Sequence, residues 1–498
     1  MTGHVDTAPD SRAQVVSLPD RASVVNVGLS VFGDALREQD VDVVDVDWRI
    51  PAGGDDALVD ALTWLHGPRA DTIHAANVEV VRRLDSAAPA LHRVRRAGDV
   101  VPGMGERTIL HSGPPLEFER FCDALRRSVT ATAVSAGWAD DANDVRALIE
   151  AGEIELAPAN HHAAALPMAA TIGPDDPVFE VHDPVGGSVA FSGINQGPGR
   201  RAWLGVDAPE AVTHLTWLRE VIAPVLDQVV RDHDPIDLFS IAAHAVQMGD
   251  DVHMRLQAAT ALLVRQLLPR IAALDDPRRV ELAVYLSENY LFFLNLVIAA
   301  SKATVDWAAQ VEGSTIVTCM SRNGTTFGVR LAGSNRWSIA DAPPVEAALY
   351  RGDFGPDDAA PDIGDSAIVE LVGLGGAAAA GSPAVAGFVG GRMSDALART
   401  REFQTISTAR SSRFKLPPLE FEGTPLGLDV RKVVELEVTP SITTGILDAV
   451  KGRGQIGAGL ATAPLEAFQR ALTDLVADHR GEGTGAAARP PARGRGET

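Results

Sequence analysis

"ASVVNVGLSVFGDALREQDVDVVDVDW", residues 22–48, decides the fold class. Its two valine-rich runs, "ASVVNVGL" and "VDVVDVDW", have the two-residue period of strands, and "FGDALREQ" between them has helical spacing. Strand, helix and strand in that order make a right-handed crossover between parallel strands. "ADTIHAANVEVVRRL" continues the pattern, so residues 21–110 are expected to form a Rossmann-like or flavodoxin-like parallel α/β domain. Such a fold does not by itself disclose a role.

Outward from this unit, residues 111–236 mix Pro- and Gly-rich loops with short strands such as "DPVFEVHD" and a helix around "HLTWLREVIAPVLDQVV", a mixed α/β region. In residues 237–310 the apolar positions of "AATALLVRQLLPRIAAL" and "LAVYLSENYLFFLNLVIAASKA" recur at helical spacing, which predicts a central helical bundle. Strands return in a C-terminal α/β region, residues 311–478. Residues 1–20 and 479–498 are polar or Gly/Pro/Arg-rich without periodicity and read as disordered tails. There is no internal repeat.

Among the 498 residues, 66 acids stand against 44 Lys and Arg. The resulting formal charge of −22 repels phosphate backbones and anionic membranes, so nucleic acid is not an expected partner. Cys122 and Cys319 are the only cysteines, too few and too far apart for a disulfide framework or a C-x-x-C site, in keeping with a reducing cytoplasm. No secretory signal opens the chain. Leu371–Gly391 runs 21 residues without a charge, nominally a membrane span, yet its seven glycines and a proline point instead to a closely packed buried segment.

Titratable chemistry concentrates in "QMGDDVHMR", residues 247–255. If the surrounding sequence is one helix, Asp250 and His253 are three apart and Asp251 and Arg255 four apart, so each pair shares a face. The stretch then reads either as a surface salt bridge with a capped helix start or as a polar strip at a site, with His253 the acid–base group and Asp250 its orienting partner. "GEIELAPANHH" sets His161 and His162 on a loop; His162 is the second acid–base candidate. "VAFSGINQGPGR" offers Asn195 and Arg200 among glycines able to present N–H groups to an anion.

In "GSTIVTCMSRNGTTFGVR", Asn323-Gly324 is a hairpin signal, while Arg322 is a natural fork for phosphate or carboxylate with Asn323 beside it. "PDIGDSAI" adds Asp362 and Asp365, open to general-base work, metal binding or helix capping. Gly452-x-Gly454-x-x-Gly457 has the form of a dinucleotide fingerprint, but too little chain follows it for the required βαβ unit. Gly454, Gly457, Gly459 and Thr444 remain anion-binding candidates. No cofactor is evident and no metal is assigned.

Taken in order, "SVVNVGLSVFGDAL", "PGMGERTILHSGPPLEFER", "GEIELAPANHH", "QMGDDVH", "FFLNLVIAASKA", "GSTIVTCMSRNGTTFGVR", "PDIGDSA", "GLDVRKVVE" and "GQIGAGL" resemble the bacterial AllG family, formerly YlbE, over about residues 23 to 475. The resemblance implies an oligomeric assembly with an FdrA-like protein and a third small subunit. That assembly would exchange oxamate plus carbamoyl phosphate with oxalurate plus phosphate, so carbamoyl phosphate or phosphate is the implied co-substrate and a small oxo-acid or ureido compound the substrate. A non-catalytic scaffold subunit and a ureido amidase are the alternatives. The chain has no S-x-R-T-R phosphate loop of ordinary transcarbamoylases. It also departs from the family pattern: Ala159 and Asn160 replace a cysteine and a histidine, and Leu447, Asp448 and Ala449 replace an alanine, histidine and lysine.

Overall fold

The computed structural model describes residues 23–46, 48–388 and 391–481. The expected tails at 1–20 and 482–498 lie outside the described residues, whereas residues 479 and 480 belong to the last helix, Leu465–Arg480.

Ser23–Val27, the helix Ser30–Arg37 and Asp42–Val46 form the expected strand, helix and strand, and the two strands pair in parallel from Ser23 opposite Asp42 to Val27 opposite Val46. Local contacts close the unit: Asn26 Nδ2 donates to Asp45 Oδ1 at 2.7 Å, and Arg37 pairs with the same carboxylate. The expected Rossmann-like domain does not extend from it. The sheet stops at two strands, and Val25, Val44 and Trp48 are 64%, 64% and 62% exposed. The next strand, Ala90–Arg96, joins an antiparallel sheet instead, in the order Ser188–Gly193, Pro177–Asp183, Ala90–Arg96 and Ile236–Asp237. Period and crossover are local properties, but the number of strands that assemble is not.

The remaining architecture is mixed α/β, built from small and mostly antiparallel sheets. Thr108–His111 lies between parallel Glu155–Pro158 and antiparallel Thr171–Ile172. Val317–Asn323 lies between Thr326–Leu331 and Ile363–Gly364, with Ser338–Asp341 at the far edge. Gln455–Thr462 lies between Val345–Tyr350 and Ser441–Leu447.

Four helices follow in the segment read as a bundle: Leu238–Gln247, Gln257–Ala273, Arg279–Glu288 and Phe293–Ala308. The last is buried along nearly its whole length and packs on the strands Pro177–Asp183 and Ser188–Gly193. Among the described residues no single helix is long and apolar enough to cross a membrane; the last two pass that test only together and are bent by 84° at their junction.

The charge-free run after Glu370 is buried from Leu371 to Ser382, as its glycines suggest, whereas Pro383, Ala384 and Gly387 are exposed. Gly375–Gly381 is a buried 3₁₀ segment. A methyl group on Gly376 would overlap the carbonyl of Ser441, whereas one on Gly387 would meet nothing. Gly376→Ala is expected to cost about 1–3 kcal/mol by overpacking. Thermal melts of Gly376→Ala against Gly387→Ala test this; equal melting temperatures would mean that the backbone yields at no cost.

Candidate functional site

From Met248 on, the acid-rich stretch is not helical. The helix Leu238–Gln247 ends at Met248, Gly249 takes φ +98°, and the next helix starts at Gln257. The shared-face geometry therefore does not arise, and Asp250 does not orient His253. Asp250 pairs with Arg255 through one oxygen and accepts from Ala259 N at 2.8 Å through the other, tying down the start of the next helix. Asp251 shapes the turn itself: Oδ1 accepts from the backbone N–H groups of His253, Met254 and Arg255, and Oδ2 accepts from Thr443 Oγ1 at 3.1 Å.

That turn presents His253 to a partner 117 residues away. Nδ1 of His253 meets Oε1 of Glu370 at 2.8 Å, with both side chains buried. Gly376 N donates to the same oxygen at 3.1 Å. Oε2 of Glu370 is buried without a hydrogen bond. Gly375, at φ +56°, lets the backbone lie against this pair, since a methyl group there would collide with Glu370 Oε1. A carboxylate on one imidazole nitrogen fixes ring orientation and tautomer, leaving the other for chemistry. Among the described residues Nε2 of His253 has no hydrogen bond.

The His253 ring lines a chamber of about 60 Å³ with Met168, Trp203, Ser366, Thr443, Thr444 and Gln455. At about 10–15 Å³ per water, this admits on the order of four to six water-sized groups, the scale of a small oxo-acid. An outer cavity of about 270 Å³ shares Met254, Leu291, Gln455 and Ala458 with it and carries Arg255 and Arg351. Two residues hold left-handed backbone without being glycine: Met168, which lines the chamber, at φ +53°, and Val252, next to His253 in the chain, at φ +60°. For a β-branched residue this conformation is costly, and such strain clusters at functional sites.

Arg322 is close by but committed. Its Nε and Nη2 donate to the two oxygens of Asp362 at 2.7 and 3.0 Å, and its Nη1 to the Gly364 carbonyl at 2.6 Å. With the guanidinium fully buried and engaged, the expected fork for a phosphate or carboxylate is taken up by the protein. The pair positions Thr444, whose Oγ1 donates to Asp362 Oδ1 at 2.9 Å. Asn323 adopts the hairpin reading: its Oδ1 accepts from the N–H groups of Thr325 and Thr326 across the turn. Asp365 accepts from Gly113 N at 2.8 Å, from Leu166 N at 2.9 Å and from Ser321.

The late glycines do not form an open anion cradle. Gly457 and Gly459 lie in the central strand of a three-stranded sheet, and Gly454 closes a turn already occupied by a carboxylate. There Asp448 accepts from Lys451 N and Arg453 N at 2.7 and 3.1 Å and pairs with the Arg453 side chain. Asp448 thus fills the loop with the chain's own anion.

The other candidates lie apart from His253. His162 Nδ1 contacts the Pro102 carbonyl at 2.7 Å, and His161 Nε2 accepts from the Trp337 indole at 2.9 Å. Arg200 pairs with Glu210 on the surface. Asn195 belongs to a buried amide network facing a different cavity. Among the described residues no group of three or more His, Cys, Asp or Glu is arranged to hold a metal.

Burial pushes Asp250 and Asp365 up to about 6. With folded values above the ordinary 3.8, the stability they contribute is complete below about pH 4 and lost as pH rises through 6. His111 works in the opposite sense: burial lowers it from 6.5 to about 4, so its contribution is present above pH 6.5 and lost as pH falls to 4. His111→Phe is expected to remove about one proton, or about 1.4 kcal/mol per pH unit, from the acid limb of stability. Urea titrations between pH 4 and 7 test this, and curves parallel to those of the unmodified chain would refute it.

Residues 154–366 match the family model described as oxamate carbamoyltransferase subunit AllG. Over 411 residues the chain is 36% identical to the oxamate carbamoyltransferase subunit AllG of Escherichia coli (strain K12), covering 81% of this chain and 98% of that protein. The chain belongs to the AllG family. It is also 34% identical over 454 residues to the uncharacterized protein YahG of Escherichia coli (strain K12), covering 90% and 96% of the two chains. A crystal structure of a conserved protein of unknown function from Enterococcus faecalis V583 shares its fold, with a TM-score of 0.80 and 34% identity over 82% of this chain and 98% of that one.

Sequence reasoning missed Glu370 in this AllG-family chain. Its signal is a lone acid in "SAIVELVGLGG", directly before the charge-free run. Gln455 was missed too, standing between the Gly454 and Gly457 that drew attention.

Proposed function

We propose that the chain is the subunit of a carbamoyltransferase-type assembly that holds a small ureido or oxo-acid substrate, with oxamate and oxalurate as the reference pair. The observation that carries this reading is the His253–Glu370 pair on the wall of a chamber sized for a small oxo-acid, next to a larger cavity that shares four of its lining residues. In the direction of oxalurate breakdown, a phosphate oxygen attacks the ureido carbon and the C–N bond to oxamate breaks. Nε2 of His253 then supplies the proton to the departing nitrogen, and in the reverse direction takes it back. Thr443, Thr444 and Ser366 offer hydroxyls to substrate oxygens, and Arg351 brings positive charge to the outer cavity for phosphate, beside Arg255, whose Nη1 is held by Asp250. Glu370 is a positioning residue, acting through His253.

An FdrA-like protein and a third small subunit are the proposed partners, in line with the word "subunit" in the description of the family. A second reading is favoured by the engagement of Arg322: the chain would be a scaffold and the FdrA-like partner would supply the cations for phosphate.

The test is carbamoyl phosphate production from oxalurate and phosphate by the chain alone and with its FdrA-like neighbour, using His253→Asn as control. Formation that needs both phosphate and His253 supports the catalytic reading. Activity indifferent to His253 but abolished by changes in the partner favours the scaffold, and turnover without phosphate would point to an amidase.

A further inference from the structure

A separate cavity of about 480 Å³ lies between the loop at Gln196–Arg201, the helix Pro209–Trp217 and the helix Arg279–Glu288. Its volume is in the range of small-molecule pockets, against 60 Å³ for the His253 chamber. Trp203 stands between the two: it lines the chamber, while its indole donates to the Gly197 carbonyl at 2.8 Å and its backbone N–H to Gln196 Oε1 at 3.1 Å.

The lining is aromatic and apolar on one side. His214 stacks on Trp217 with centroids 5.3 Å apart, Tyr285 meets the same indole edge-on at 5.4 Å, and Val280 and Val284 are 62% and 49% exposed. Of its charged groups, Glu281 accepts from the Trp217 indole at 3.0 Å, while Arg201 and Glu288 are not satisfied by the described residues. Among the described residues the Arg201 side chain forms no hydrogen bond or ion pair, and its Nε is buried without an acceptor; the carboxylate that feels its charge, Glu210, is already paired with Arg200. Glu288 lines the same cavity without pairing with Arg201 or any other described residue. A buried guanidinium N–H without a partner is rare in a native structure and calls for one.

A rigid frame lies behind these groups. Asn195 Nδ2 donates to Asn295 Oδ1 at 2.8 Å, its Oδ1 accepts from Gly197 N and Asn289 Nδ2, and its carbonyl accepts from the Tyr285 hydroxyl. This fully connected network pins the loop that delivers Arg201, the sort of support a preorganised binding group needs. Neutral His214 completes the wall: its Nε2–H donates to the Gln196 carbonyl at 2.9 Å, and burial holds it down at about 4.

We propose that this cavity binds a planar aromatic or heteroaromatic monoacid, with its carboxylate on Arg201, its ring along Trp217 and an N–H group directed to Glu288. Among the described residues that line the cavity, one unpaired arginine side chain beside two carboxylates, Glu281 and Glu288, suits a single negative charge rather than a polyphosphate. The concavity suits a small molecule rather than a protein surface.

The test is calorimetric titration of the full chain with 4-aminobenzoate, benzoate and benzamidine. Saturable binding of 4-aminobenzoate at one site per chain is expected. Arg201→Met should weaken it at least tenfold, Val284→Glu should block it sterically and electrostatically, Glu288→Gln should remove the preference over benzoate, and His253→Asn should leave it unchanged. Thermal melts check that each variant folds; Val284→Glu, at an exposed position, carries the test if Arg201→Met does not. The proposal is overturned by no binding of 4-aminobenzoate at millimolar concentration, by binding insensitive to both variants, or by a preference for benzamidine.

Discussion

Arg322→Met is expected to destabilise the protein by about 3–5 kcal/mol, the usual range when one partner of a buried ion pair is removed. Arg322 and Asp362 are both 0% exposed at the side chain, and the guanidinium satisfies both oxygens of that carboxylate together with the Gly364 carbonyl. Methionine fills much the same volume but has no donor. Asp362 is then left buried with the Thr444 hydroxyl as its remaining bond in this cluster, and the Gly364 carbonyl loses the arginine. The double variant Arg322→Met/Asp362→Leu is expected to recover most of the loss, because the desolvation of both charges is relieved together. Denaturant midpoints and melting temperatures of the two variants decide it. A single variant within 1 kcal/mol of the unmodified chain would show that water reaches Asp362, contrary to its burial.

The second large effect is on turnover. Under the proposed reading, His253→Asn lowers kcat by about 10²–10⁴, the usual contribution of a positioned acid–base group. Glu370→Gln keeps the shape and the hydrogen bond to Nδ1 but removes the negative charge beside the ring, so it is expected to lower kcat with little change in KM. Imidazole added to His253→Ala should restore part of the rate, since truncation enlarges the chamber on the side where the lost ring stood. A purely structural role for the pair would instead lower melting temperature and leave no chemical rescue. Rescue without a change in KM is the result that separates the two.

Much of the local structure was legible. Valine alternation and an intervening helical stretch yielded the parallel pair at Ser23–Val46 in register, because period and crossover handedness are set within a few dozen residues. The Asn323-Gly324 hairpin followed from the conformational freedom of glycine, at φ +77° here, and the first part of the span-like run, residues 371–382, packed into the interior. The Rossmann-like extension failed because the third strand, Ala90–Arg96, found its partners beyond residue 176.

The candidate site divided along the same line. His253, Thr444, Asp362 and Asp365 come close to one chamber, while Asn195 and Arg200 sit toward the second cavity and His161 and His162 face other neighbours. There the arginine that lines the cavity is Arg201, one residue on from the surface-paired Arg200. The pairing of Asp250 with His253 rested on helical spacing, and Gly249 with its φ of +98° removes the helix that spacing required.

By itself, then, the sequence determined the family, the strand and helix periods, the turns that glycine permits and the charge that disfavours nucleic acid, all of which depend on composition or on residues near one another in the chain. Only the tertiary structure decided which acid meets which base. His253 takes Glu370 from 117 residues away and Arg322 takes Asp362 from 40 residues away, because the packing of a shared core, rather than spacing along the chain, fixes which buried charges are left to satisfy each other.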